Sequence, residues 1–163
     1  MKTLVKVSDV ANWIVIRFLA VLVIGLFGIN LAGIVFRYFL GNPQPWPVPI
    51  SRIFLVWTAL LGISVALKEG EHVAIEGAVR ALPSKYGKVV TYFSFLIIGI
   101  WSAVIFWQGW IIASEADQMM MISDKIQIKF FWRLLAVPIS GALQFIHILA
   151  CPKLVENKME ERR

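Results

Sequence analysis

Four long apolar runs dominate the chain, at about residues 13–36, 50–67, 89–113 and 130–151, and each ends in a short stretch rich in prolines or charges. A helix needs about 20 apolar residues to cross a hydrocarbon core of about 30 Å, and each run approaches or exceeds that length. None shows the strict alternation of a half-buried strand, so each predicts a helix that is apolar all round. The segment GNPQPWPVP, residues 41–49, carries Pro43, Pro45, Pro47 and Pro49 and predicts a tight exposed loop, with the second helix starting near Ile50. Four spans with their connections use up the chain. The pattern predicts an all-α membrane protein in which residues 1–163 form one four-helix domain.

The connection between the second and third runs has its own periodicity. Ile75, Ala78, Val79 and Leu82 fall on one helical face. Glu76 and Arg80 lie on the other, with the acid four residues before the base, the order that favours an ion pair. Pro83 stops the segment. The expectation is a short amphipathic helix over about 73–82 lying in the membrane interface.

Composition fits lipid exposure. The chain is 59% hydrophobic and 16% charged, where a soluble domain carries about a quarter charged residues. The net charge of +6 is spread over loops and ends, with no basic stripe for a nucleic acid. Lys2, Lys6, Arg17, Lys68, Arg80, Lys85, Lys88, Lys153, Lys158, Arg162 and Arg163 fall on one side of the predicted spans. Arg37, Arg52, Lys125, Lys129 and Arg133 fall on the other. The positive-inside rule then puts both termini in the cytoplasm, with Trp13 at the inner boundary and Trp46, Trp110 and Trp132 at the outer one. The first run resembles a secretory signal, but it continues past Arg17 to about Phe36 without a small-x-small cleavage pattern. It is therefore expected to be a retained first span, with Arg17 near its start counted among the bases of the N-terminal tail. A single cysteine, Cys151, allows no internal disulfide.

Chemistry-bearing residues are sparse. No Asp, Glu, Lys or Arg falls at the centre of a predicted span, where an ion-coupled carrier would be expected to hold one. Asn30, Gln108, Gln144 and His147 are the main polar residues there. Gly87-Lys88 lacks the rest of a phosphate-binding loop. His72 and His147 could in principle ligate one haem iron, but His72 sits in the charged run KEGEH. His147 and Cys151, four apart, are too few for a metal site. A small multidrug exporter would need a buried acid in its first span. No cofactor, metal or catalytic site is expected. Arg37 and Arg52 flank the proline-rich loop with no acid between them. They read as snorkelling bases, or as contacts for an acidic partner surface or for lipid headgroups. The small-residue pairs Gly28/Ala32, Gly62/Ala66 and Ala136/Ser140 would permit close helix approach.

An ordered series of residues then resembles a family. Arg37-Tyr38 closes the first span, Trp46 is followed by Arg52 and Trp57, and then come Leu61-Gly62, Ile63-Ser64-Val65-Ala66, Glu71-His72-Val73, Glu76 and Leu82-Pro83. This series is similar to that of the small membrane subunit, DctQ-like, of tripartite ATP-independent periplasmic (TRAP) transporters. The likeness is sharpest from Val35 to Pro83. It departs at Val48 and Pro49, where the family pattern Trp-x-Glu-Glu has two acids. The resemblance implies a bacterial inner-membrane subunit that braces a large sodium-coupled elevator subunit. It also implies a periplasmic binding protein that delivers an organic acid or sialic acid. Arg37, Tyr38, Trp46, Arg52, Trp57, Gly62, His72, Glu76 and Arg80 are the expected partner or lipid contacts.

Overall fold

The computed structural model describes residues 2–69, 84–123 and 126–150. The chain is mostly helical: α1 spans Lys2–Ile34, α2 Pro47–Glu69, α3 Ser84–Ser114, α4 Phe131–Leu134 and α5 Ala136–Ala150. Among the described residues, Thr3–Phe39, Pro47–Glu69, Phe93–Ser114 and Phe131–Ala150 are long and apolar enough to cross a membrane. The predicted interfacial helix at 73–82, with His72, Glu76 and Arg80, lies outside the described residues, as does Cys151.

α1 and α2 pack as an antiparallel pair. Near one end the ring of Phe54 lies where a Cβ on Gly25 would be, and Pro47 lies close to Gly33. At the other end Asn12 and Asp9 meet Glu69 and Lys68. Val15, Leu22 and Leu61 are buried between them, joined by Leu19, Phe54, Trp57 and Val65, with Ile139 and Leu143 arriving from α5. α3 packs against α5 on the far side, so α5 sits between α2 and α3. The bundle's outer surface is apolar: Ile24, Phe27, Trp101 and Trp107 are all well exposed.

Lipid is as apolar as leucine, so helices in a membrane gain little from hiding apolar area and are held by close packing and polar contacts. The α3–α5 contact follows this rule. A Cβ on Gly141 would lie 2.7 Å from the backbone nitrogen of Phe106 and 3.0 Å from the carbonyl oxygen of Ser102. One on Gly109 would lie 3.0 Å from the nitrogen of Pro138. Ala113, Ala136 and Ser140 are fully or almost fully buried in the same region, and Ser102 donates to Gln144 Oε1 at 3.4 Å.

Four local features depart from the sequence expectation. First, the chain is not wholly helical: Met119–Ser123 (β1) and Ile126–Lys129 (β2) form an antiparallel hairpin in the third connection, with an irregularity between Met121 and Ser123. Its signal, the alternation in MMMISDKIQIK, is short and lies beside two spans. Ile122 is buried while Met119 and Met121 are exposed.

Second, the loop predicted over 41–49 ends at Trp46, and Pro47 and Pro49 lie in the first turn of α2. Proline is tolerated there because the first amides of a helix have no intrahelical acceptor. The carbonyl of Trp46 accepts the first bond, from Ile50 N at 3.3 Å.

Third, α1 starts at Lys2, well ahead of the predicted start near residue 13. Leu4, Val7 and Val10 keep the run apolar enough to extend it.

Fourth, the last span is broken at Leu135. Pro138 supplies no amide to the Leu134 carbonyl, and its ring crowds that carbonyl, which separates α4 from α5.

The first span ends in a π-helical turn, Val35–Phe39, with Leu40 N bonded to Val35 O at 3.2 Å. Asn42 N then reaches Phe36 O at 3.0 Å, and Gly41 takes the left-handed conformation at φ 61°. That geometry closes a helix C-terminus and favours glycine.

Candidate interface at the Arg37 end of the bundle

Arg37, Tyr38, Trp46 and Arg52 all lie at the end of the bundle opposite the Asp9–Lys68 contact, because α1 and α2 run antiparallel. The π-helical turn carries Arg37 and Tyr38 outward. Both are exposed, with the Arg37 guanidinium 5.6 Å from the Tyr38 ring centroid. Trp46 is half-buried and meets Phe36 edge-on, with centroids 6.3 Å apart. This contact folds the proline-rich loop back onto the end of α1. Arg52 is exposed in the second turn of α2. No acidic side chain among the described residues pairs with Arg37 or Arg52. Val48 is exposed, and Pro49 is half-buried.

Two further expected contacts, Trp57 and Gly62, lie along α2. Trp57 faces into the bundle: its indole nitrogen donates to the carbonyl of Trp132 at 3.0 Å, and Phe18 meets its ring edge-on at 6.2 Å. It therefore ties α2 to α4. Gly62 faces open space, with no atom within 4 Å of where its Cβ would be, and the same holds for Gly28. Neither glycine is a point of close helix approach among the described residues. The α3–α5 packing uses Gly109 and Gly141 together with the buried Ala136/Ser140 pair; Gly109 and the buried Ala113, four apart on α3, form a further small pair that pattern reading overlooked.

The opposite end holds polar residues that pattern reading overlooked. Ser8 Oγ and His147 Nδ1 are 2.8 Å apart, Lys68 Nζ donates to Ser8 Oγ at 2.7 Å and to Asp9 at 2.5 Å, and Asn12 donates to Glu69 at 2.7 Å. Lys68, expected in the connection after the second span, is the penultimate residue of α2, with only 9% of its side chain exposed. Asn30 spends its amide on the carbonyl of Leu26, one turn back. Among the described residues no group of three or more His, Cys, Asp or Glu side chains is placed to hold a metal ion.

These features define a small multi-pass membrane protein whose polar groups tie its own helices together. Residues 26–152 match the family described as tripartite ATP-independent periplasmic transporters, DctQ component, and the chain belongs to that family. It is also similar to the sialic acid TRAP transporter permease protein SiaT of Haemophilus influenzae (strain 86-028NP), 34% identical over 77 residues. The match covers 47% of this chain and 12% of that permease, so most of the larger protein has no counterpart here.

Proposed function

We propose that this chain is the small, non-carrying permease subunit of a TRAP transporter in a bacterial inner membrane, with both termini in the cytoplasm and residues 1–163 acting as one domain. It braces a large sodium-coupled elevator subunit, with which it pairs one to one. A periplasmic binding protein delivers the substrate, an organic acid of the carboxylate or sialic acid type. The family match over residues 26–152 carries this proposal. The partial likeness to a sialic acid permease supports the substrate class, and the predominance of basic residues on one side of the spans supports the orientation. A brace performs no covalent chemistry. It needs anchors that resist vertical movement while a neighbouring domain slides, and Tyr38, Trp46 and the flanking arginines suit that task.

Arg37 and Arg52 are the proposed contacts for acidic groups outside the hydrocarbon, Gly62 a contact for a partner helix, and His72, Glu76 and Arg80 contacts of the interfacial segment. Affinity purification of a tagged chain from native membranes in mild detergent tests the proposal. Recovery of a larger multi-span protein is expected, and recovery of the chain alone would overturn it. Reversing Arg37 and Arg52 to glutamate tests the site: uptake is expected to fall, and unchanged uptake with unchanged recovery of both partners removes these residues from the interface.

A further inference from the structure

Val10, Ile14, Arg17, Val21, Ile24 and Gly28 recur along α1 at alternating steps of four and three, and all six are exposed. That 3.5-residue period keeps them on one seam, the arrangement by which one helix receives another. The opposite side of α1, with Ser8, Val15 and Leu22, is buried against the rest of the bundle. Two members of the outward seam do not suit lipid. One is Arg17, about 8 Å along the helix from Asn12 at the rise of an α-helix, where Asn12 meets the end of α2 at Glu69. The other is Gly28, whose Cβ position has no atom within 4 Å and which leaves the backbone open to close approach.

Arg17 turns toward Trp13, one turn nearer the helix start. Its guanidinium lies 3.3 Å from the Trp13 ring centroid, and Nη1 donates to the Trp13 carbonyl at 3.4 Å. Neither contact neutralises the charge, and no acid among the described residues pairs with it. A guanidinium has five N–H donors in a planar fork that fits a carboxylate with two parallel bonds. A charge held on the outside of a membrane helix is costly to leave among acyl chains and normally has a partner.

We propose that the Val10–Gly28 seam of α1 receives an apolar transmembrane helix of the large membrane subunit, and that this helix carries a carboxylate level with Arg17. Gly28 lets the two backbones close, and the ion pair fixes the vertical register. A phospholipid headgroup would satisfy Arg17 alone, but it would make no use of the open glycine about three turns further along the same seam.

The inference rests on the proposed function, and the experiment separates the two. Photo-activated cross-linking residues are placed at Ile14, Val21 and Ile24 in the full chain in native membranes, alongside Arg17→Lys, Arg17→Leu and Arg17→Glu variants, with the co-purified complex measured. Wild-type chain that recovers no larger membrane protein sinks the proposed function itself. If it does recover one, cross-links from all three positions to that protein are expected. Complex recovery should fall only partly for Arg17→Lys, which keeps the charge but loses the planar fork, and about ten-fold for Arg17→Glu. The isolated Arg17→Glu chain should unfold at the wild-type temperature, separating lost docking from lost folding. Full recovery of Arg17→Leu and Arg17→Glu, or cross-links reaching only lipid or a second copy of the chain, overturns the inference and leaves the proposed function standing.

Discussion

Ser8 and His147 lie 139 residues apart in the chain, and their side chains are 2.8 Å apart in the fold. Ser8 is fully buried and His147 nearly so. Lys68 can only donate, so Ser8 Oγ accepts there and turns its own hydrogen toward His147 Nδ1. One hydroxyl thus links α1, α2 and α5 where hydrophobic association contributes little. Ser8→Ala strands the imidazole nitrogen and leaves Lys68 with Asp9 as its remaining partner. A loss of about 1–3 kcal/mol is expected, read as a lower unfolding midpoint in detergent, while Ser8→Thr retains most of the stability. Equal midpoints for wild type and Ser8→Ala would show that the hydroxyl holds nothing.

The Lys68–Asp9 pair is unequal in burial, with 9% of the lysine side chain exposed against 58% of the aspartate. Removing the aspartate leaves a nearly buried cation without its counter-charge, whereas removing the lysine leaves an acid that water can reach. Asp9→Ala is therefore expected to cost more than Lys68→Met, with about 1–2 kcal/mol for the former after allowance for screening at the exposed partner. Thermal unfolding of both variants, run side by side, checks the order, and the reverse order would contradict it.

Glycine positions give a contrast within one experiment. Gly141→Ala must displace the backbone of α3 at Phe106 and Ser102, and Gly109→Ala must displace Val137 and Pro138. Each is expected to destabilise the isolated chain by about 1–3 kcal/mol, the usual cost of overpacking. Gly62→Ala meets open space, so the isolated chain should tolerate it. A loss that appears only when the complex is assembled would place Gly62 at a partner.

Trp57→Phe keeps an aromatic ring near Phe18 but removes the N–H that reaches the Trp132 carbonyl, together with part of the indole's packing on the Val15, Leu22 and Leu61 cluster. About 0.5–1.5 kcal/mol of stability is expected to go with the hydrogen bond. Amide hydrogen exchange over 131–135 should rise, because this bond ties α2 to the short α4. Unchanged exchange there would show that other contacts hold α4 in place.

Apolar length and the proline-rich interruption made four helices legible from residue order, because a span must satisfy every backbone group internally and little but a long apolar helix does so. The ordered series from Arg37 to Pro83 carried the family in the same way, since those residues are read along the chain without knowledge of their neighbours. Helix starts were less legible: Pro47 reads as a breaker, yet it is harmless at a first turn, and Arg17 reads as a boundary, yet it can turn back onto Trp13. Which residues meet across the bundle is a matter of tertiary structure. Ser8, Asn12 and Lys68 are unremarkable in sequence, and only the antiparallel pairing of α1 with α2, with α5 laid against both, brings them to His147 and Glu69. That the Trp57 indole ties α2 to α4, and that Gly62 meets no other part of the described bundle, is likewise visible only once the helices are packed. The sequence by itself determined the number and character of the spans, because lipid imposes that on each helix separately. The tertiary structure decided which polar and small residues hold them together, because that depends on pairs of helices meeting at a particular depth.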